Sequence, residues 1–208
     1  MLTYSQWRPY RPARQLTQLY AGLVLYGVSM ALMVRSQLGL NPWGVLHEGL
    51  ALRTGWTFGL VSIVVAAAVL LLWIPLRQRP GIGTVSNVIV IGVAVDATLT
   101  LLSTPSGLAT RAALLVTGIV LNGLASACYI GAGLGPGPRD GLMTGWVHHY
   151  GGSLRVIRTG LEVAVLSIGW LLGGTVGLGT VLYAVGIGSL VQLFLPSVTV
   201  AAVEQSTR

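Results

Sequence analysis

The sequence predicts an all-α polytopic membrane protein with about six transmembrane helices, arranged as two inverted three-helix repeats, each with a short proline-started helix. Three observations predict it. The 208 residues are 53% hydrophobic and only 8% charged, where soluble domains carry about 25% charged residues. Residues 17–102 fall on 113–198 without a gap, an offset of 96. The arginines also divide unequally between the two sides that such an arrangement creates.

Composition bounds the rest. A soluble domain of this length still exposes about 30% of its surface, which is too much for so apolar a chain. Each span needs about 20 mostly apolar residues, so the length accommodates about six spans with short loops and no large soluble domain. The net charge is +7 and all twelve basic residues are arginine. They stand in short clusters between apolar runs, which points to orientation in a bilayer and away from nucleic acid. The single cysteine, Cys128, rules out an intrachain disulfide and a Cys-x-x-Cys metal site.

The repeat is carried by particular segments. LGLNPWGVLHEG (38–49) aligns with LGPGPRDGLMTG (134–145), and GIGTV (81–85) with GLGTV (177–181). The first copy holds ten glycines and the second eighteen; eight coincide where chance would match about two.

Taken in order, residues 1–15 form a cytoplasmic leader in which Tyr4, Trp7 and Tyr10 suit the membrane interface. Repeat 1 covers 16–102, a linker 103–111, repeat 2 112–198, and a cytoplasmic tail 199–208. In each repeat a first span (16–36, copy 112–132) is followed by a short segment (42–53, copy 138–149). A second span (57–76, copy 155–173) and a third (82–102, copy 178–196) complete it. Proline suits the first helical turn, because its missing N–H has no partner there. Asn41 is a good cap before Pro42, and Pro138 opens the second copy. At 1.5 Å per residue these segments reach about 18 Å, short of a hydrocarbon core of about 30 Å. They either re-enter the membrane or lie flat at its surface.

Three spans is an odd number, so the second copy enters from the opposite side, as in many secondary transporters. With both termini cytoplasmic, nine arginines fall inside and three (Arg35, Arg53, Arg111) outside, in line with the positive-inside rule. If the short helices re-enter, their N-terminal N–H groups converge on a midplane site that favours an anionic or carbonyl-bearing solute.

Ionisable residues within spans are candidates for function. Asp96 and its copy Gln192 place polar groups at one level of the third span, as a proton or solute contact or as an interhelical hydrogen bond. Glu162 follows Arg158 by one helical turn, near the inner interface. Arg139 and Asp140 begin the second short helix, lining a vestibule or serving as a cap. His47 and Glu48 lie mid-way along the first short helix, facing water if it lies flat and a cavity if it re-enters. Asn41, Pro42 and Pro138 complete the candidate set. There is no lysine for a phosphate loop, and no His-Glu-x-x-His, Gly-x-Ser-x-Gly or Cys/His cluster. We therefore expect no enzyme, no cofactor and no metal.

The runs GAGLGPGPRDGLMTG (131–145), LGLNPWGVLHEGL (38–50) and GIGTVSN (81–87) resemble the YczE/YyaS/YitT-type bacterial membrane proteins, closest to the YczE branch. The resemblance spans almost the whole chain. It implies a multi-span fold in the bacterial cell membrane and no established activity. The expected partners are the lipid bilayer and a small solute, and the expected role is a transporter or permease. The alternative is a non-transporting chaperone or regulator, with a second copy or another membrane protein as its partner.

Overall fold

The structure is a computed structural model that describes residues 11–200. Tyr4, Trp7, Tyr10, Arg8 and Arg208 lie outside the described residues. Among the described residues eight helices follow one another: α1 (Pro12–Ser36), α2 (Pro42–Thr54), α3 (Phe58–Leu71), α4 (Ile82–Leu101), α5 (Leu108–Gly131), α6 (Pro138–Tyr150), α7 (Leu154–Leu171) and α8 (Leu178–Val198). No strand occurs among the described residues.

The helix boundaries follow local chemistry. Pro12, Pro42 and Pro138 each stand in a first turn. The Asn41 Oδ1 accepts from Gly44 N at 2.7 Å and caps α2. α1 ends on Gln37 and α2 on Gly55, both left-handed at φ 51° and 74°, the usual way to stop a helix.

Helices α1 and α5 form the centre and run antiparallel. A Cβ at Gly22 would meet Ala125, Cys128 and Tyr129, while one at Gly118 would meet Ser29 and Met33. Later residues of α1 thus oppose earlier residues of α5, and each contact is the other's copy at the 96-residue offset. Helix α4 packs against α1, α8 against α5, α2 against α7, and α3 against α4 and α6. Leu19, Leu23, Met30, Met33, Val95, Leu115 and Ile119 fill the core between α1, α4 and α5. A second cluster joins Trp43, Trp73, Leu76, Leu142 and Val165.

Two pairs of hydrogen bonds cross between the halves in register with the offset. Gly83 N donates to Leu134 O at 2.9 Å, and its copy Gly179 N donates to Leu38 O at 2.8 Å. Gln15 Nε2 donates to Ala132 O at 2.8 Å, and its copy Arg111 donates through Nε to Ser36 O at 2.7 Å. Glycine is required two residues before each donor of the first pair, because a Cβ at Gly81 or Gly177 would strike the Leu134 or Leu38 carbonyl.

Four helices, α1, α4, α5 and α8, are long and apolar enough to cross a bilayer, and the bent pair of α2 and α3, meeting at 114°, counts as a fifth if it is one span. The second spans depart from expectation. α3 stops at Leu71 after 14 residues, well short of 57–76, at about 21 Å. Tight turns follow through Arg77, which takes φ 52°. They bring the Trp73 indole to Pro138 O at 3.0 Å, and this anchoring to α6 ends the helix early. α7 reaches 18 residues but carries Arg155, Arg158 and Glu162. α5 begins at Leu108, inside the expected linker. Outward faces carry exposed Leu101, Leu171, Ile74 and Val185, surface that lipid and not water accommodates. The chain is a helical membrane protein.

Candidate functional site

The two short helices start at the wall of one cavity. It has a volume of about 310 Å³ and takes residues from all eight helices, with only the first turn of α2 contributing. Asn41, Pro42 and Trp43 come from the start of α2; Gly137, Pro138, Arg139 and Asp140 from the start of α6; Gln192 from α8; Arg158 and Glu162 from α7.

The two helix starts differ electrostatically. Asp140 lies in the first turn of α6, where its charge opposes the positive helix end, and its Oδ2 accepts from the Tyr129 hydroxyl at 2.7 Å. α2 has no acidic residue in its first turn. Instead the Arg139 guanidinium stacks over the Trp43 ring, 4.7 Å from its centre. The only ion pair among the described residues is Arg158 Nε to Glu162 Oε1, at 3.1 Å, so Arg139 has no carboxylate partner.

Two buried N–H donors at the same corner lack acceptors: Asn41 Nδ2 and Trp43 Nε1, in side chains 2% and 5% exposed. Buried donors are normally satisfied. A helix N-terminus, an unpaired guanidinium and two unmatched donors together make a corner suited to a negatively charged or carbonyl oxygen.

Of the residues singled out from the sequence, Asn41, Pro42, Pro138, Arg139, Asp140, Glu162 and Gln192 line the cavity. Three do not. Asp96 accepts from Gly59 N at 2.7 Å and from the Thr57 hydroxyl, and so fastens the start of α3 to α4. Glu48 Oε2 accepts from Thr175 N, which ties α2 to the loop before α8. His47 is 1% exposed and meets Phe58 edge to face, ring centres 5.6 Å apart.

Sequence reasoning missed Trp43, Tyr26, Tyr129, Tyr183 and Asn87. A signal existed for three of them: at the offset of 96, Trp43 is the copy of Arg139, and Asn87 and Tyr183 are copies of each other. Tyr183 donates to Asn122 Oδ1 at 2.9 Å, and Asn122 Nδ2 donates to Ser29 Oγ at 2.8 Å. This chain of bonds links α8, α5 and α1 behind the cavity. No three His, Cys, Asp or Glu side chains come together to hold a metal among the described residues.

The model of a family of unknown function, DUF6198, matches residues 13–196. An uncharacterized protein of Haemophilus influenzae is 44% identical over 177 residues, 85% of this chain and 81% of that one. The uncharacterized membrane protein YczE of Bacillus subtilis is 32% identical over 182 residues, 86% of this chain and 85% of its own. The uncharacterized protein YyaS of the same organism is 24% identical over 181 residues, 85% and 90% of the two chains. No solved structure matches.

Proposed function

We propose, for a chain that belongs to the DUF6198 family of unknown function, a small-solute transporter whose substrate site is the cavity at the starts of α2 and α6. The observation that carries this reading is the unbalanced corner: the α2 N-terminus, Arg139 over Trp43, and the unmatched donors of Asn41 and Trp43. It calls for an anionic or carbonyl oxygen on the solute.

The architecture we infer is two inverted repeats with six crossings, α3 and α7 serving as the short or charged second spans. The antiparallel run of α1 against α5 and the reciprocal Gly83–Leu134 and Gly179–Leu38 bonds support it. With arginines nine to three toward one side, both termini are cytoplasmic and the protein sits in the bacterial cell membrane. It needs no cofactor and performs no covalent chemistry.

Uptake of a panel of labelled anions into proteoliposomes, with and without a pH gradient, tests the reading. We expect at least one anion to accumulate and Arg139→Gln to abolish its uptake while the protein stays folded. Absence of uptake for every solute, in both directions, overturns it. A second reading, a non-transporting partner of another membrane protein, draws on α8, whose only buried residues are Gly179 and Thr180. That reading expects a partner that co-purifies in stoichiometric amount.

A further inference from the structure

The two halves also differ where their second and third long helices meet, beside the cavity. In the first half α3 packs along α4. Gly92 makes the close approach possible: a Cβ there would strike Ile63 and the Gly59 carbonyl. Asp96 then latches the α3 start through Gly59 N at 2.7 Å.

In the second half the equivalent seam is unmade. Gly188, the copy of Gly92, has nothing within 4 Å of where its Cβ would stand. Gln192, the copy of Asp96, is exposed, lines the cavity and makes no hydrogen bond. Ser153, the copy of Thr57, makes no side-chain cap bond at the start of α7, where Thr57 caps α3. Helices α7 and α8 are not among the closely packed pairs, whereas α3 and α4 are, so the seam between α7 and α8 is a slot beside the cavity. Its α8 edge is aliphatic, with Ile187, Gly188 and Val191 on the cavity wall. Beyond that wall α8 presents Val185 and Leu193, 76% and 67% exposed, a surface that faces hydrocarbon in a membrane.

We propose that the ligand is a single-chain amphiphile with an anionic head, taken from the bilayer through the α7–α8 slot. This rests on the transporter reading of the same cavity. The head sits at the corner of Asn41, Trp43 and Arg139, and the alkyl chain lies along Ile187, Gly188 and Val191. A fully water-soluble anion has no use for an aliphatic wall that opens sideways. A neutral lipid has no use for an unpaired guanidinium at a helix N-terminus. An anionic amphiphile uses both.

The test is equilibrium binding of tritiated dodecanoate and dodecyl phosphate to the full-length protein in nanodiscs of neutral lipid. Dodecanol and butyrate serve as competitors. We expect saturable binding of at least one probe, with butyrate far weaker, since each buried methylene contributes about fourfold in affinity. Dodecanol should compete poorly, because it lacks the charge.

Gly188→Leu places an aliphatic side chain in the slot from a Cβ that meets nothing within 4 Å, and should weaken binding by about tenfold or more. Gly186→Leu also meets open space but lies outside the cavity wall, and should bind normally. Normal binding by Gly188→Leu, or equal competition by butyrate, overturns the amphiphile and leaves a soluble-anion transporter standing. Failure of every anion to bind or to be taken up removes both readings.

Discussion

The Arg139 guanidinium stacks over the Trp43 ring at 4.7 Å, and the two residues are each other's copies at the 96-residue offset. In the inverted-repeat arrangement proposed above, residues that meet their own copies lie on the axis relating the halves. A symmetric pair there would place two cations or two indoles in contact. One of each makes that crossing a cation–π contact on the cavity wall.

Arg139→Lys should keep the charge and lose the flat stacking, while Arg139→Gln loses both. Cation–π contacts of this kind contribute about 0.5–2 kcal/mol, so thermal unfolding should show a destabilisation of about 1 kcal/mol for Gln. Solute binding should fall in the order Arg, Lys, Gln. Equal binding by all three would place the anion elsewhere.

Asp96 behaves as a latch between helices. Asp96→Ala should cost about 1.5–3 kcal/mol, the range for a hydrogen-bonded charged group, and Asp96→Asn less. Hydrogen exchange should quicken at the start of α3, around Gly59 and Leu60. The KM for the transported solute should not change, because the carboxylate lies off the cavity wall. A large KM shift with unchanged exchange would contradict this assignment.

The α1–α5 crossing leaves no room for a methyl group. A Cβ at Gly118 would stand 2.8 Å from Met33 Cγ and 3.0 Å from Ser29 O. Gly118→Ala should destabilise the protein by about 1–3 kcal/mol through overpacking, read from the thermal unfolding midpoint. Gly160→Ala, whose added methyl meets nothing within 4 Å, should be neutral or slightly stabilising.

Asn122 joins Tyr183 and Ser29 through side-chain hydrogen bonds. Asn122→Leu leaves both hydroxyls with one partner fewer. Interhelical bonds of this type in membranes average about 0.6 kcal/mol, so stability should fall only modestly. Tyr183 stands on the cavity wall, and losing its anchor should widen the spread of its ring positions, visible in the side-chain NMR signals of labelled tyrosine.

Much of the fold was legible because its signals are local. Proline in a first turn, Asn41 as a cap and the apolar runs fixed the order of helices to within a few residues. The early end of α3 was not legible, since it depends on the Trp73 indole finding Pro138 O, 65 positions away. Asp96 reads in sequence as an expensive carboxylate in a span. Its partners Thr57 and Gly59 come from another helix, and only the α3–α4 crossing reveals that the charge is satisfied. The cavity corner was half visible: Asn41, Pro42, Pro138 and Arg139 follow from the paired motif, whereas Trp43 looked like an ordinary apolar residue until its copy was compared.

The crossed bonds of Gly83 to Leu134 and Gly179 to Leu38 mean that neither half closes its own loop. Each lends a backbone amide to the other and takes one back. Such a pair of halves is interlocked, each completing a loop of the other. During synthesis the Leu38 carbonyl lacks this donor until the segment around Gly179 has emerged. A chain cut in the 102–107 connection and expressed as two pieces should recover its structure only when both pieces are present.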